Sequence, residues 1–176
     1  MHDFSRNHFE LFNLPARFAI DLPTLDQHYR MIQSEVHPDR FVSSTPAERL
    51  RSMQLATQAN EAYQTLKNPT ARARYLLKIN DIDTQEEINT AMPAEFLMLQ
   101  MEWREAIDEA WQAKDIGAMD QLLQHMRHDA KKLQEELRVN LDEKKQLIEA
   151  AGIVRKLSFI DKVRGDIEQM ISKLED

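Results

Sequence analysis

Cysteine is absent from this chain of 176 residues. Its absence excludes disulfides, thiol nucleophiles and every thiolate-ligated metal site within the chain. Glycine occurs only 3 times, at the scattered positions Gly117, Gly152 and Gly165. No Gly-rich phosphate loop can be built from them. A G-x-S-x-G nucleophile elbow is also missing. No stretch approaches the roughly 18 apolar residues of a membrane span. The opening MHDFSRNHFELF has no basic region followed by an apolar core, so no signal peptide is expected. The expected location is cytoplasmic.

What the chain does have is helix-forming material. Hydrophobic residues make up 42% and charged residues 30%, with Leu, Ala, Glu, Lys, Arg and Gln abundant. Such a mixture predicts an all-α protein. Nine methionines supply soft side chains, useful in cores and on adaptable binding faces. The net charge of −7 argues against a general nucleic-acid binder. That charge is uneven. Residues 1–80 hold 10 basic and 8 acidic residues, a balance of +2, whereas residues 81–176 hold 13 and 22, a balance of −9. Two modules with different partners are expected.

Helical periodicity divides the first module into four segments. A short helix is predicted near residues 7–13, ending at Leu14-Pro15. A second runs from Leu22 to Val36, with Asp21 as its cap and Leu22, Leu25, Tyr29, Ile32 and Val36 as its apolar stripe. Pro38 stops it, and a loop continues through FVSST. Thr45, Pro46 and Glu48 then form the start signal of a third helix. Its predicted stripe is Leu50, Met53, Ala56, Ala59, Tyr63 and Leu66. A fourth helix follows Asn68-Pro69 and runs to about residue 79. The second and third helices should pair antiparallel. Residues 81–92 lack a stripe and read as a linker. Three longer amphipathic helices are predicted beyond it, over about 93–114, 116–140 and 143–174, and suggest an antiparallel bundle.

Candidate chemistry centres on His37-Pro38-Asp39. His37 and Asp39 could act as an acid–base pair or as metal ligands. Alternatively, Pro38 is a stop that holds two polar side chains towards a partner. A catalytic site would need a third group nearby, and the sequence offers none. No catalytic residue is therefore assigned. His125 and His128, beside Asp129, share one helix face and could bind a metal, but they lack supporting ligands. Lys67, Arg72, Arg74 and Lys78 form a small basic cluster that could touch phosphates or simply be solvated.

An amphipathic helix, the His-Pro-Asp loop, a capped helix, and then NEAYQTL followed by Asn68-Pro69 together resemble a J domain, the module that couples to DnaK-class chaperones. The resemblance extends along nearly the whole chain. FELFNLPARFAID, HYRMIQSEVHPDRF, RARYLL, FLMLQMEWREAIDEA and VRKLSFIDKVR are similar to the HscB family of J-type co-chaperones of iron–sulfur cluster assembly. It implies a J domain over 1–80, a linker over 81–92 and a three-helix scaffold-binding domain over 93–176. It also implies that His37, Pro38 and Asp39, with Arg30 and Arg40, engage the chaperone HscA and promote its ATP hydrolysis. The second helix here carries fewer cations than in most J domains, which suits a dedicated partner. The zinc-binding cysteine pairs of some eukaryotic relatives are missing, so neither metal nor cofactor is expected.

The fifth helix gives a geometric signal of its own. At about 100° per residue, Phe96, Leu99, Trp103, Ile107, Ala110 and Trp111 form the heavier apolar face. Met98, Met101, Glu105 and Glu109 lie opposite, with Leu97 and Glu102 at the flanks. Large apolar residues away from a core seam, running into acids, make a partner-binding pattern. The family's surface for the scaffold IscU maps onto Leu97, Met98, Met101, Glu102, Glu105, Glu109 and Phe159. Met101 stands where the family often has Leu, a mild exchange.

Overall fold

The structure is a computed structural model that describes residues 4–86 and 92–176. The chain forms two compact units, Met1–Asn80 and Asp81–Asp176, and the described residues contain no strand.

In the first unit, α1 (His8–Leu11) opens on a capping box in which Asn7 and Glu10 satisfy each other's backbone amides. α2 (Leu22–Glu35) and α3 (Pro46–Lys67) pack side by side. Tyr29 stacks on Tyr63 with centroids 4.1 Å apart. The Tyr63 hydroxyl donates to Asp26 at 2.7 Å, and the Tyr29 hydroxyl donates to Asn60. The pairs 26–63 and 29–60 run in opposite chain directions, so the helices are antiparallel. Buried Ala59 and Ala62 leave room for α2 to approach, and Phe9, Phe12, Leu25 and Leu66 fill the core around them. Asn68 ends α3 and caps α4 (Pro69–Ile79), accepting from the Ala71 amide at 2.9 Å. Buried Arg72 donates to the Leu66 carbonyl at 2.7 Å, which satisfies an acceptor at the end of α3.

Thr45, Pro46 and Glu48 start α3 as expected. Other details differ. Asp21 receives the Thr24 hydroxyl rather than a backbone amide. Leu50 and Met53, predicted to be core, are 56% and 66% exposed. The buried seam of α3 is instead Leu55, Ala59, Ala62 and Leu66. The helical register explains this shift. Continued from 26–63 and 29–60, it sets Met53 opposite Val36, just past α2, and Leu50 opposite Asp39, so no turn of α2 itself covers them.

The second unit contains α5 (Ala94–Gln112), α6 (Ile116–Arg138) and α7 (Leu147–Glu175), each in contact with the other two. Phe96, Trp103, Met119, Met126, Leu157 and Ile160 lie in its core. Asp115 caps α6 through the Ala118 amide at 2.9 Å. The last predicted helix starts later than expected, because a π-helical turn, Val139–Glu143, is inserted after α6. Arg138 clamps that turn, reaching Glu135 at 2.7 Å and Glu143 at 2.6 Å. The bond to Arg138 holds the Glu135 carboxyl below the usual carboxylate range.

The second unit also includes part of the stretch read as a linker. Thr84 is buried, and its carbonyl accepts from Arg155 of α7 at 3.0 Å. Ser158 of α7 bonds to Glu86. Residues 87–91 of that stretch lie outside the described residues.

Candidate functional site

Pro38 ends α2 and begins a 3₁₀ turn, Pro38–Phe41, where the sequence suggested only loop. His37 is the N-cap of that turn, and its Nδ1 accepts from the Asp39 amide at 3.3 Å. A neutral ring in this role carries its proton on Nε2. The Arg40 amide donates to the His37 carbonyl at 3.0 Å. The three motif residues are therefore held by local backbone bonds. His37 Nδ1 lies 3.5 Å from Asp39 Oδ2, so the two side chains converge more than an extended segment would allow. Both remain open to water, with side chains 60% and 88% exposed. Proton-transfer chemistry draws its strength from positioned groups in a water-excluded site, which this turn is not. Contact with a partner suits the geometry better. Arg30 on α2 and Arg40 on the turn are exposed and form no ion pair among the described residues.

The other predicted surface lies on α5. Leu97, Met98 and Met101 are 43%, 62% and 64% exposed, so none is absorbed into the bundle. Glu102, Glu105 and Glu109 line the same helix, and all three are exposed. Phe159 is placed differently. It is half-buried, lies flat against Trp103 at 6.3 Å and meets Phe96 edge-on at 5.9 Å. The rings it touches belong to the buried side of α5. Lys156, one turn earlier on α7, sits 5.8 Å from the centre of the Phe96 ring. Sequence reasoning missed this aromatic cluster, although Phe96 and Trp103 share a seam and Phe159 is the one aromatic of α7.

The remaining candidates separate. His125 and His128 stand exposed on α6, and no cluster of three or more metal-ligating side chains occurs among the described residues. The basic cluster on α3 and α4 is split, because Arg72 is buried with its guanidinium 4.9 Å from the Phe18 ring centre. No helix among the described residues is long and apolar enough to cross a membrane.

Known proteins resemble the chain along nearly its whole length. Residues 92–168 match the sequence model of the HSCB C-terminal oligomerisation domain. A co-chaperone protein HscB homolog of Burkholderia thailandensis is 48% identical over 169 residues, covering 96% of each chain. The chain belongs to the HscB co-chaperone family. A second HscB homolog, from Chromobacterium violaceum, is 49% identical over 175 residues and 99% of each chain. Among solved structures, the chaperone HscB from Vibrio cholerae is 34% identical, with a TM-score of 0.82 over 96% of this chain and 99% of that one. Human co-chaperone protein HscB is 28% identical, with a TM-score of 0.88 over 96% of this chain and 83% of that one. The all-α fold, a J domain followed by a C-terminal helical domain, is the fold of HscB proteins.

Proposed function

We propose that this protein stimulates ATP hydrolysis by the DnaK-class chaperone HscA and delivers the iron–sulfur scaffold IscU to it in the cytoplasm. Residues 1–80 act as the J domain, residues 81–92 link it onward, and residues 93–176 bind the scaffold. His37, Pro38 and Asp39 form the trigger, assisted by Arg30 and Arg40. Leu97, Met98, Met101, Glu102, Glu105, Glu109 and Phe159 form the scaffold surface. The protein performs no covalent chemistry. It regulates a partner's ATPase, and joining client and ATPase raises their local concentration.

The observation that carries this reading is the exposed, backbone-fixed His37-Pro38-Asp39 turn in a chain of the HscB family. A rigid polar contact loses little entropy on docking and can favour one state of the partner over another. The test is the steady-state ATPase rate of the matching HscA, alone, with this protein, with IscU, and with both. A modest rise with this protein and a much larger rise with both is expected. No rise in any mixture refutes the reading.

A further inference from the structure

The first nine residues of α3, from Pro46 to Gln54, contribute no buried side chain. Met53 and Leu50 are nevertheless large, apolar and exposed there. Between this end of α3 and the end of α2 lies a cleft of about 500 Å³. Its walls are mainly apolar and include Ile32, Val36, Phe41, Met53 and Ala56. His37 and Pro38 line it on one side and Arg49 on the other. The Arg49 side chain has no ion pair among the described residues. Two of the three proposed trigger residues, His37 and Pro38, are thus part of the cleft wall.

We infer that the chaperone-docking surface crosses from the His37 turn into this cleft, where Met53 receives an apolar side chain of the ATPase and Arg49 an adjacent carboxylate. The inference rests on the proposed trigger role of His37. Two observations select this occupant. The cleft is continuous with the trigger, so a partner that reaches His37 covers it as well. In addition, α2 presents few cations, and Arg49 supplies from α3 a positive charge that an acidic partner surface would meet. Arg49 and Met53 act by docking, so they set how tightly the ATPase binds, and His37 sets how strongly it responds.

Titration of this protein into the HscA ATPase assay separates the two roles. Arg49→Glu and Met53→Glu should each raise the concentration for half-maximal stimulation by about tenfold, with the maximum retained. Arg49→Lys and Met53→Leu should stay near the original protein. His37→Gln should lose the maximal stimulation itself. All variants should keep their helical circular dichroism and their scaffold binding, since the altered side chains are exposed. If His37→Gln is inactive while both Glu variants titrate normally, the cleft inference is overturned and the trigger reading stands. If His37→Gln stimulates fully, the trigger reading fails and the inference fails with it. A concentration-dependent dimer that Met53→Glu abolishes, with unchanged ATPase titration, assigns the cleft to a second copy and also overturns the inference.

Discussion

In the first unit the proposed trigger, His37, Pro38 and Asp39, sits on a turn fixed by backbone bonds and a proline ring. In the second the exposed residues proposed for function are largely apolar and acidic and lie along α5, on the side of the helix away from buried Phe96 and Trp103. The two solutions address different costs. A polar contact loses affinity if its groups must first be ordered, so the turn orders them in advance. An apolar contact gains from burial alone, but exposing it in the free protein is unfavourable and invites misassociation. The acids at Glu102, Glu105 and Glu109 border that apolar strip and keep it from extending along the helix.

The sharpest way to break this comparison is to silence one face and assay the other. His37→Gln should abolish ATPase stimulation and leave scaffold affinity unchanged. Leu97→Ala combined with Met101→Ala should leave stimulation by this protein alone intact. It should weaken scaffold binding by about 2 kcal/mol or more, as expected for truncated hot-spot side chains. Scaffold titration by calorimetry, run beside the ATPase assay, checks both. Loss of both activities in either variant would show that the faces are not independent.

Phe159 sharpens the contrast within the second unit. Its ring packs on Trp103 and Phe96, so Phe159→Ala removes half-buried aromatic contact. A loss of about 2 kcal/mol in stability is expected, below the range for a fully buried Phe. Leu97→Ala and Met101→Ala should stay within about 0.5 kcal/mol, as exposed positions do. Chemical denaturation of the three variants distinguishes them. Equal stability for all three would mean that Phe159 is no more structural than its exposed neighbours.

How far the sequence disclosed these faces depends on the range of the signal. Thr45, Pro46 and Glu48 act within one turn of backbone, and that start was legible. So was the apolar excess at Leu97, Met98 and Met101, because a helical wheel sees one helix at a time. The exposure of Leu50 and Met53 was not legible, since it depends on where a different helix ends. The 3₁₀ turn was hidden because Pro38 marks a helix stop without specifying the backbone path beyond it. The attachment of Thr84 and Glu86 to α7 was beyond periodicity altogether, since partners some 70 positions apart hold them.

That attachment is itself testable. Arg155→Ala removes the donor to the Thr84 carbonyl. Amide exchange at residues 84–86 should quicken about fivefold, as expected when one hydrogen bond worth about 1 kcal/mol is lost. Exchange in the α6 core should not change. An unaltered rate at residues 84–86 would show that other contacts suffice to hold the segment.

The smallest expected effect returns to the first unit and to a histidine outside the trigger. His8 stacks on Tyr75 at 4.2 Å and donates its backbone amide to the Tyr75 hydroxyl at 2.9 Å. Burial lowers its pKa from the ordinary value near 6.5. Glu61 opposes that shift and Lys78 adds to it. The folded chain therefore holds His8 neutral where the unfolded chain would already take up a proton. Stability from this group is complete above about pH 6.5, falls as the pH drops below it, and levels off below the folded pKa. His8→Phe keeps a ring for Tyr75 and removes the titration. Its melting temperature should decline about 1–2 °C less than that of the original protein between pH 7.5 and 5.5, a small effect because the ring is only half-buried. Parallel melting curves across that interval would show that the neutral state of His8 does not contribute to the fold. A shallower curve would show that the neutral state of His8, unlike the exposed His37, helps to hold the first unit together.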